Sequence, residues 1–526
     1  MTQAEAHDDL ASGHGSSTPD AAARHRWTPG WGRLLAGVLA GLLLAGSMPP
    51  RSAWVLAPAG AAVLGWALMG LKWRQRLALG VLAGTGFFAA TLSWLTDFHP
   101  VGFAAVLLIE VALFAGAMLL VDPARGRWWT LPVVLVALEA VRARFPFGGF
   151  PIPGLALGQL DGPFAAAAPL GGSLLVVGLA TGAGAAATGL AVARRRAQTM
   201  VIVAALAAVS AAGLALAAPG DASAGQLRAA LVQGGGPRGI PAVEADEQAV
   251  TERLFDISED LPAELDLVLW PESSILVTGP VADTAEADRI AALARRTGAT
   301  VVAGVTESSE EAFRNAAIAW APDGALVARY EKVHRVPFGE YIPARSLFER
   351  LSDTTALVPR DAIAGRGPGL LETPAGPLGV VISYEVFFSD RPRAAVTAGG
   401  QILLVPTNAA SYTTEEVPAT EVAAARMRAR EMDRAVLQAA PTGYTAIVLP
   451  DGRVAAQGEL GTPELLIATV PLRSGLTPYA RTGDVPVLLA TALLLVLGPA
   501  LRLLRLRHQA RGPGLLQVVH RRDPAS

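Results

Sequence analysis

Cysteine is absent from the 526 residues of this sequence. Without cysteine the chain forms no disulfide, no thiolate metal site and no thiol nucleophile. Charge is scarce as well, since 17% of the residues are Asp, Glu, Lys or Arg, against about 25% in soluble domains. Hydrophobic residues make up 52% of the chain, and its mean hydropathy is +0.40. This composition predicts an integral membrane protein.

Several signatures of other protein classes are also missing. The net charge is -2, and no cluster of Lys and Arg alternates with aromatic residues, which argues against a nucleic-acid partner. The sequence contains neither the phosphate-binding loop of nucleotide hydrolases nor the H-E-x-x-H motif of zinc proteases. Ser383 lies in Val-Ile-Ser-Tyr-Glu, which differs from the G-x-S-x-G turn of the α/β-hydrolases. The scattered histidines indicate no metal site, and we expect no cofactor.

Long apolar runs dominate both ends of the chain. A helix needs about 20 apolar residues to cross the hydrocarbon core of a bilayer. On this basis we predict a helical transmembrane bundle of about eight spans, seven of them within a membrane domain at 24–218 and the last at 485–504. The predicted spans lie near 34–47, 52–71, 77–96, 101–121, 128–144, 164–191, 199–218 and 485–504.

Basic residues alternate between the loops that join these spans. Positive charge stays on the cytoplasmic side of a membrane, so this alternation predicts cytoplasmic termini and an outward-facing region at 219–484. Arg142 and Arg144, at the outer end of span five, are exceptions. Residues 1–23 are predicted to be a disordered cytoplasmic tail, and 505–526 a basic cytoplasmic tail, of a multi-pass plasma-membrane protein. The charges that set the orientation are Arg24, Arg26, Arg33, Lys72, Arg74, Arg76, Arg125, Arg127, Arg194, Arg195, Arg196, Arg502, Arg505, Arg507 and Arg511.

The region 219–484 has a different pattern, with short apolar runs between turn and helix signals. Near-continuous apolar runs are typical of strands buried on both faces. Two segments, Thr284–Arg296 and Ala419–Arg434, have helical periodicity with charge on one face. Strands that alternate with helices predict a layered α/β domain. The predicted strands are Leu227–Val232, Asp266–Trp270, Thr300–Val305, Ala325–Tyr330, Leu378–Ser383, Gln401–Pro406 and Tyr444–Leu449.

Three of these strands end at polar side chains. Glu272 follows Trp270-Pro271, Lys332 follows Tyr330-Glu331, and Ser383 ends the strand that begins at Leu378. Functional groups collect beyond the carboxyl ends of strands in open α/β sheets. A carboxylate, an ammonium and a hydroxyl could there serve as base, oxyanion stabiliser and nucleophile. Taken singly, they also fit a solvated turn residue, a surface charge and a helix N-cap.

With these blocks in order, the sequence resembles the bacterial apolipoprotein N-acyltransferases, whose outer domain belongs to the nitrilase (carbon–nitrogen hydrolase) superfamily. The resemblance covers nearly the whole chain after residue 30 and implies an αββα sandwich for the outer domain. The matching blocks are Trp270-Pro271-Glu272-Ser273, Lys332 through Pro343, Ile382-Ser383-Tyr384-Glu385, the membrane-half residues Glu139, Arg142, Gly149-Phe150-Pro151 and Leu157-Gly158-Gln159, then Arg426 through Glu431, and Thr477-Pro478-Tyr479 with Gly483-Asp484.

The resemblance implies acyl transfer in lipoprotein biosynthesis. The acyl donor would be a phospholipid, and the acceptor the α-amino group of the diacylglyceryl-cysteine of an apolipoprotein. Glu272 would be the general base and Lys332 the oxyanion stabiliser, with Glu340 orienting Lys332. Tyr384 would add a backbone oxyanion contact, and Glu385 would support the site.

Ser383 stands where the family has its nucleophilic cysteine. A serine hydroxyl is far less acidic than a thiol and usually needs a His or Lys base. Three interpretations follow: an acyltransferase that uses serine or an altered mechanism, a catalytically impaired paralogue that binds lipid or lipoprotein, or an engineered Cys→Ser variant. A transporter is disfavoured, because it would have intramembrane charges and repeated halves.

Overall fold

The computed structural model describes residues 30–122, 127–193, 209–213, 223–239, 247–350 and 358–496. Several predictions concern residues outside these ranges: the tail at 1–23, the basic tail at 505–526, and most of the seventh span. Of that span the structure describes 209–213, which is helical.

The N-terminal half is built from helices that coincide with the first six apolar runs. Among the residues that the structure describes, two segments are long and apolar enough to cross a membrane, Pro100–Met118 and Pro163–Ala191. Three further helices are apolar but shorter: Trp31–Gly46, Leu56–Leu68 and Val485–Val496. The count of about eight spans is therefore not confirmed by helix length and stays a prediction. The helices are α1 Trp31–Gly46, α2 Leu56–Leu68, α3 Trp73–Thr91, α4 Pro100–Met118, α5 Thr130–Arg142 and α6 Ala168–Ala193.

A buried arginine connects two of these helices with the loop that follows them. Arg142 Nε donates to Glu110 Oε2 at 2.6 Å, and its Nη1 donates to Glu139 Oε1 at 2.8 Å. The same guanidinium donates to the carbonyls of Ile152 and Pro153. A buried charge is tolerated only when it is paired and hydrogen-bonded, and here the pairing fixes α4, α5 and the 150–153 loop together.

Between residues 223 and 482, the described part of the outer region contains fourteen strands and six α-helices. Six of the seven predicted strands are confirmed, and four of them (β2, β6, β10 and β12) agree within two residues at both ends. Strand β1 begins four residues earlier than predicted, and β4 ends three residues later. Strands at 312–320, 436–439 and 464–473, among others, were not predicted. The elements are β1 Ser223–Gln233, α7 Glu247–Ser258, β2 Leu267–Leu269, β3 Ile275–Thr278, α8 Ala285–Thr297, β4 Thr300–Ser308, β5 Ala312–Trp320, β6 Leu326–Glu331, α9 Arg345–Phe348, β7 Asp361–Ala362, β8 Leu370–Thr373, β9 Gly376–Val380, α10 Asp390–Thr397, β10 Ile402–Pro406, α11 Glu416–Met432, β11 Val436–Ala439, β12 Ala446–Val448, β13 Val454–Gln457, β14 Glu464–Arg473 and α12 Pro478–Thr482, after which α13 Val485–Val496 follows.

The strands form two sheets packed face to face. The first has the order β14-β1-β2-β4-β5-β6, with β3 and β7 on β4 and β5, and the second has the order β13-β12-β11-β10-β9-β8. An apolar core that includes Leu231, Leu269, Leu378 and Leu404 fills the space between them. Helices α7 and α8 cover the outer face of the first sheet. On the second sheet, α10 and α11 pack in one continuous core with the N-terminal helices.

Helix α8 illustrates how the sequence specifies its own ends. Thr284 caps the first turn by accepting from Ala287 N, acidic residues fill that turn, and Arg295 and Arg296 lie in the last one. These charges oppose the helix dipole at both ends. Gly298 follows in the left-handed conformation with φ 67°, which glycine adopts at little energetic cost. The predicted helix Thr284–Arg296 is thereby confirmed.

The predicted strand Leu378–Ser383 is wrong at its end. Strand β9 ends at Val380, and Ser383–Phe387 forms a short 3-10 helix. The apolar run Val380-Val381-Ile382 conceals this boundary, because these residues are buried whether or not they are in a strand. Ser383 therefore lies on a turn beyond the sheet.

Candidate active site

Glu272 lies on a turn that begins as β2 ends. Its backbone N–H donates to the carbonyl of Thr407, at the end of β10 in the other sheet, at 3.3 Å. The turn lies close against Gly304 of β4, where an added Cβ would be 2.3 Å from Pro271 O and 2.5 Å from Glu272 Cα. Glycine at 304 is therefore a steric requirement of this turn. The result is a carboxylate that is 6% exposed at the junction of the two sheets.

Lys332 lies just after β6 and binds two carboxylates. Its Nζ donates to Glu272 Oε1 at 2.8 Å and to Glu340 Oε1 at 2.9 Å. Asn315 of β5 donates to the same two oxygens at 2.7 and 3.1 Å. Glu340 Oε2 accepts from Val336 N at 2.7 Å, which fixes the second carboxylate on its own loop. The predicted trio of Glu272, Lys332 and Glu340 is thus one hydrogen-bonded cluster.

The charges of this cluster keep the lysine protonated. Burial of Lys332 lowers the pKa of its ammonium, but the two adjacent carboxylates outweigh burial and raise that pKa above its ordinary value. A lysine with a raised pKa is a cation throughout the neutral range. Lys332 is consequently a hydrogen-bond donor and an electrostatic stabiliser at neutral pH, and not a base.

Ser383 occupies a strained backbone position on the turn that follows β9. Its φ is +50°, in the left-handed region that non-glycine residues seldom adopt. Such strain persists only where the surrounding structure imposes it, and it is frequent at functional sites. The residue is 8% exposed. Within the ranges that the structure describes, Ser383 Oγ has no hydrogen-bond partner, so the hydroxyl is available to a substrate or a base.

Glu385 holds the serine turn against the lysine loop. Its Oε2 accepts from Ile382 N at 2.8 Å, and its Oε1 accepts from Val333 N and His334 N at 2.8 and 3.0 Å. The hydroxyl of Tyr330 is 2.9 Å from both carboxylate oxygens. The carboxylate is fully buried, and its hydrogen bonds connect the residue before Ser383 with the residue after Lys332. This connection brings the second and third predicted strand ends together.

Aromatic side chains connect the residues around the site with the N-terminal helices. Tyr384 donates its hydroxyl to Gly149 O at 3.0 Å. Tyr412 packs edge-on against Trp94 and Phe98, with ring centroids 5.3 and 5.2 Å apart. On another side, rings from both halves of the chain meet in the cluster Phe147, Phe338 and Phe348. Rings from the helical half therefore contact aromatic side chains of the outer region on two sides.

Two polar residues of the site escape the sequence analysis. Asn315 lies within the unpredicted strand β5, so nothing in the sequence marks it. Glu421 lies on α11, where it reads as one of several charges on a helix face, yet it is 3% exposed and accepts from Thr407 Oγ1 at 2.7 Å. Burial raises the pKa of Glu421 to about 8, with a contribution from the negative charge of Glu272. Glu421 is therefore a largely protonated acid beside the cluster of Glu272, Lys332 and Glu340 at neutral pH.

The arrangement supplies the groups that acyl transfer requires. Glu272 Oε1 is engaged by Lys332 and Asn315, while its Oε2 has no partner among the described residues and is free to accept a proton. The ammonium of Lys332, held in place by its hydrogen bonds to Glu272 and Glu340, is suited to stabilise a developing oxyanion. In the part of the chain that the structure describes, no three His, Asp or Glu side chains are grouped as a metal site requires.

Comparison with known proteins places both halves of the chain in one family. Residues 40–187 match the apolipoprotein N-acyltransferase N-terminal domain, and residues 228–477 match the carbon–nitrogen hydrolase family. The apolipoprotein N-acyltransferase of Azotobacter vinelandii is 30% identical, over 93% of this chain and 99% of that protein. That of Photobacterium profundum is 28% identical, over 87% and 92%. A solved nitrilase-superfamily structure from Saccharomyces cerevisiae aligns with 47% of this chain and 91% of its own, at 18% identity and a TM-score of 0.36.

Proposed function

The chain belongs to the apolipoprotein N-acyltransferase family, and we propose that Ser383, Glu272 and Lys332 carry the transfer. The protein is an N-acyltransferase of the nitrilase superfamily that acts in lipoprotein biosynthesis at a membrane. Its substrates, by family membership, are a phospholipid and an apolipoprotein. The finer assignment that follows concerns which residues act, and how.

In the first half-reaction, Ser383 Oγ attacks the ester carbonyl of the phospholipid while Glu272 accepts the hydroxyl proton. Lys332 stabilises the oxyanion of the tetrahedral intermediate, and the backbone N–H of Tyr384 adds a second contact. The carbon–oxygen bond to the glycerol breaks, and Glu272 returns the proton to the departing lysophospholipid alkoxide. The chain is left as an acyl ester on Ser383.

In the second half-reaction, the α-amino group of the diacylglyceryl-cysteine attacks this ester. Glu272 accepts the amine proton and returns it to Ser383 Oγ as the ester bond breaks. The products are an amide on the lipoprotein and the free enzyme. Glu340 keeps Lys332 in position, and Glu385 keeps the serine turn against the lysine loop.

One observation carries this proposal: Glu272, Lys332 and Glu340 form a hydrogen-bonded cluster, and Glu385 connects its loop to the strained turn of Ser383, whose Oγ has no partner among the described residues. Burying three charges is costly unless each is compensated. A site that had lost its catalytic role would have no need to retain such a cluster next to a left-handed serine. This argument favours a working enzyme over the impaired paralogue.

We further propose a topology for the whole chain. The seven-span membrane domain would comprise residues 24–218, and the nitrilase-like domain residues 219–484. The last span would be 485–504, with both termini cytoplasmic and the catalytic domain outside. Aromatic rings that lie between the two halves, such as Phe98 and Phe147, would then lie at the membrane surface. Tryptophan and other aromatic side chains are favoured at that depth, where a lipid acyl chain would enter.

The test is N-acylation by the purified full-length protein. The protein is supplied with a phospholipid and a diacylated lipopeptide, and the N-acylated product is followed by mass spectrometry. Ser383→Ala and Ser383→Cys are measured alongside. We expect turnover by the natural protein, none by the Ala variant, and faster turnover by the Cys variant because a thiolate forms more readily. Intact mass of the protein with phospholipid alone should show one acyl group, absent from the Ala variant.

The alternatives give different results. Equal product from Ser383→Ala would refute Ser383 as the nucleophile. Product from the Cys variant alone would identify an impaired enzyme with an intact site, and lipopeptide binding would then be the activity to measure.

A further inference from the structure

A charged cavity lies between the two halves of the protein, and its lining contains none of the candidate active-site residues. It has a volume of about 760 Å³. Its charged wall comes from α11 and the turn between β12 and β13, and it includes Arg426, Arg430 and Arg453. Its other wall comes from residues 160–169 of the helical half, which are apolar apart from Asp161. Glu272, Lys332 and Ser383 do not line it.

Each carboxylate of the cavity is already bound by one arginine. Asp161 pairs with Arg426 at 2.5 Å, and Asp451 pairs with Arg453 at 3.5 Å. The third carboxylate of the lining, Asp433, pairs at 2.7 Å with Arg473, which lies outside the cavity. No carboxylate is left over.

Arg430 is the surplus cation. Among the residues that the structure describes, it has no hydrogen bond and no ion pair, and its Nε is buried without an acceptor. Burial lowers the pKa of the Arg430 guanidinium, and the positive charge of Arg426 lowers it further. These residues are four apart on α11, and like charges at that spacing repel each other. An anion bound between them would relieve the repulsion and supply the missing acceptor.

The cavity wall is shaped around this side chain. Gly452 lies in the β12–β13 turn with φ +79°, and a Cβ there would come within 2.5 Å of Arg430 Nε. The carbonyl of Gly452 accepts from Arg426 Nε at 2.9 Å. The turn therefore holds Arg426 by a hydrogen bond, and glycine at 452 leaves the space that Arg430 occupies. The planar fork of an arginine guanidinium matches the oxygens of a phosphate.

We propose that this cavity binds a phosphate group through Arg430, with Arg426 and Arg453 beside it. The phosphate belongs either to a phospholipid headgroup or to free phosphate. The apolar opposite wall favours the lipid, because a headgroup would contact the arginines while its glycerol and acyl chains contact residues 160–169. Only this choice of source rests on the proposed placement of the helical half in a membrane.

The absence of cysteine makes the site directly measurable. In the full-length protein, Val454→Cys introduces a single thiol at the cavity for an environment-sensitive fluorophore. Glu310→Cys, in the exposed turn between β4 and β5, serves as the reference label. The probes are dioctanoyl phosphatidylglycerol, dioctanoylglycerol with the same chains but no phosphate, and inorganic phosphate. A response of the Val454→Cys label alone reports binding at this cavity and not at the active site.

We expect saturable binding of phosphatidylglycerol and weak or no binding of dioctanoylglycerol. In Arg430→Gln the affinity for phosphatidylglycerol should fall about tenfold or more, because one charged hydrogen-bonding partner is lost. Arg295→Gln, on the exposed face of α8, is the matched control and should bind as the natural protein does. Ser383→Ala should also keep the response, so failure of the proposed catalytic mechanism would leave this result intact.

The outcomes separate the two sources. If phosphatidylglycerol displaces inorganic phosphate, the cavity is a headgroup site. If inorganic phosphate binds in an Arg430-dependent way and the lipid does not displace it, the cavity is a free-phosphate site. Equal affinity for dioctanoylglycerol, or no response to either phosphate probe, would refute the proposal in the natural protein, whether or not Arg430→Gln folds. Unchanged affinity of folded Arg430→Gln would refute it as well.

Discussion

The buried acid Glu421 makes a prediction about the pH dependence of stability. Its carboxyl is 3% exposed and accepts one hydrogen bond, from Thr407. Burial, helped by the charge of Glu272, raises its pKa from 4.5 to about 8 in the folded protein. The perturbation is Glu421→Gln, which keeps the shape and the acceptor oxygen but cannot ionise.

The sign follows from proton linkage. A group whose pKa is raised on folding binds more protons in the folded state, so its contribution to stability is fully present below the unfolded pKa and is lost as pH rises towards 8. Each pH unit within that window corresponds to about 1.4 kcal/mol. Between pH 6 and pH 8 the natural protein should therefore lose about 2 kcal/mol relative to Glu421→Gln.

The assay is reversible denaturant unfolding of both proteins in detergent at pH 6 and pH 8, followed by tryptophan fluorescence. We expect the variant to gain stability over the natural protein as pH rises, by about 2 kcal/mol across the two values. Glu310→Gln, in an exposed turn, controls for the loss of a charge at the surface and should show no such trend. A stability difference that stays constant with pH would refute the raised pKa, and with it the protonated state of Glu421.

Three further predictions concern the cluster and its supports. Lys332→Met leaves two buried carboxylates without their cation, so the free energy of unfolding should fall by about 3–5 kcal/mol at pH 8. The loss should be smaller at pH 5, where the carboxylates can protonate, and thermal unfolding at the two pH values measures the difference. Glu385→Gln replaces one acceptor oxygen by an N–H donor that faces backbone N–H groups, so the free energy of unfolding should fall by about 2–3 kcal/mol. Thermal unfolding measures that loss, and a stability equal to that of the natural protein would contradict the prediction. Gly304→Ala places a methyl 2.3 Å from Pro271 O, so the rate of acyl transfer should fall and the free energy of unfolding should drop by about 1–3 kcal/mol. Gly116→Ala, whose added methyl meets nothing within 4 Å, is the neutral control.

The sequence indicates where two of the candidate site residues lie, because each follows a strand that it predicts. Glu272 follows the buried apolar run of β2, a pattern that is readable without a structure. Lys332 follows β6, a short β-like run of which most residues are exposed or half-buried in the structure. The position of Ser383 is predicted less well, since Val381 and Ile382 continue the apolar run of β9 beyond the last paired residue. Burial alone gives the same pattern for a strand and for a tightly packed turn.

The residues that the sequence analysis misses act through register and packing. Asn315 reaches Glu272 because β5 pairs antiparallel with β4, which places Asn315 opposite Thr306. A single sequence does not contain that register. Glu421 shares its helix with Arg426 and Arg430, and only the packing of α11 against the second sheet separates the buried acid from the half-buried arginines.

The raised pKa of Lys332 decides how a serine could replace the family's cysteine. A lysine that is neutral could serve as the base for a serine, but the carboxylates of Glu272 and Glu340 keep this one charged. Under the proposed mechanism the proton of Ser383 goes to a carboxylate, and the acceptor is Glu272 Oε2, which has no partner among the described residues. A carboxylate is a weak base for an alkoxide-forming step, so the proposed oxyanion stabilisation by Lys332 would have to contribute much of the rate. Under the proposed mechanism, removing the charge at 332 should therefore slow acylation of Ser383 more than it slows acylation of the more easily ionised Ser383→Cys variant.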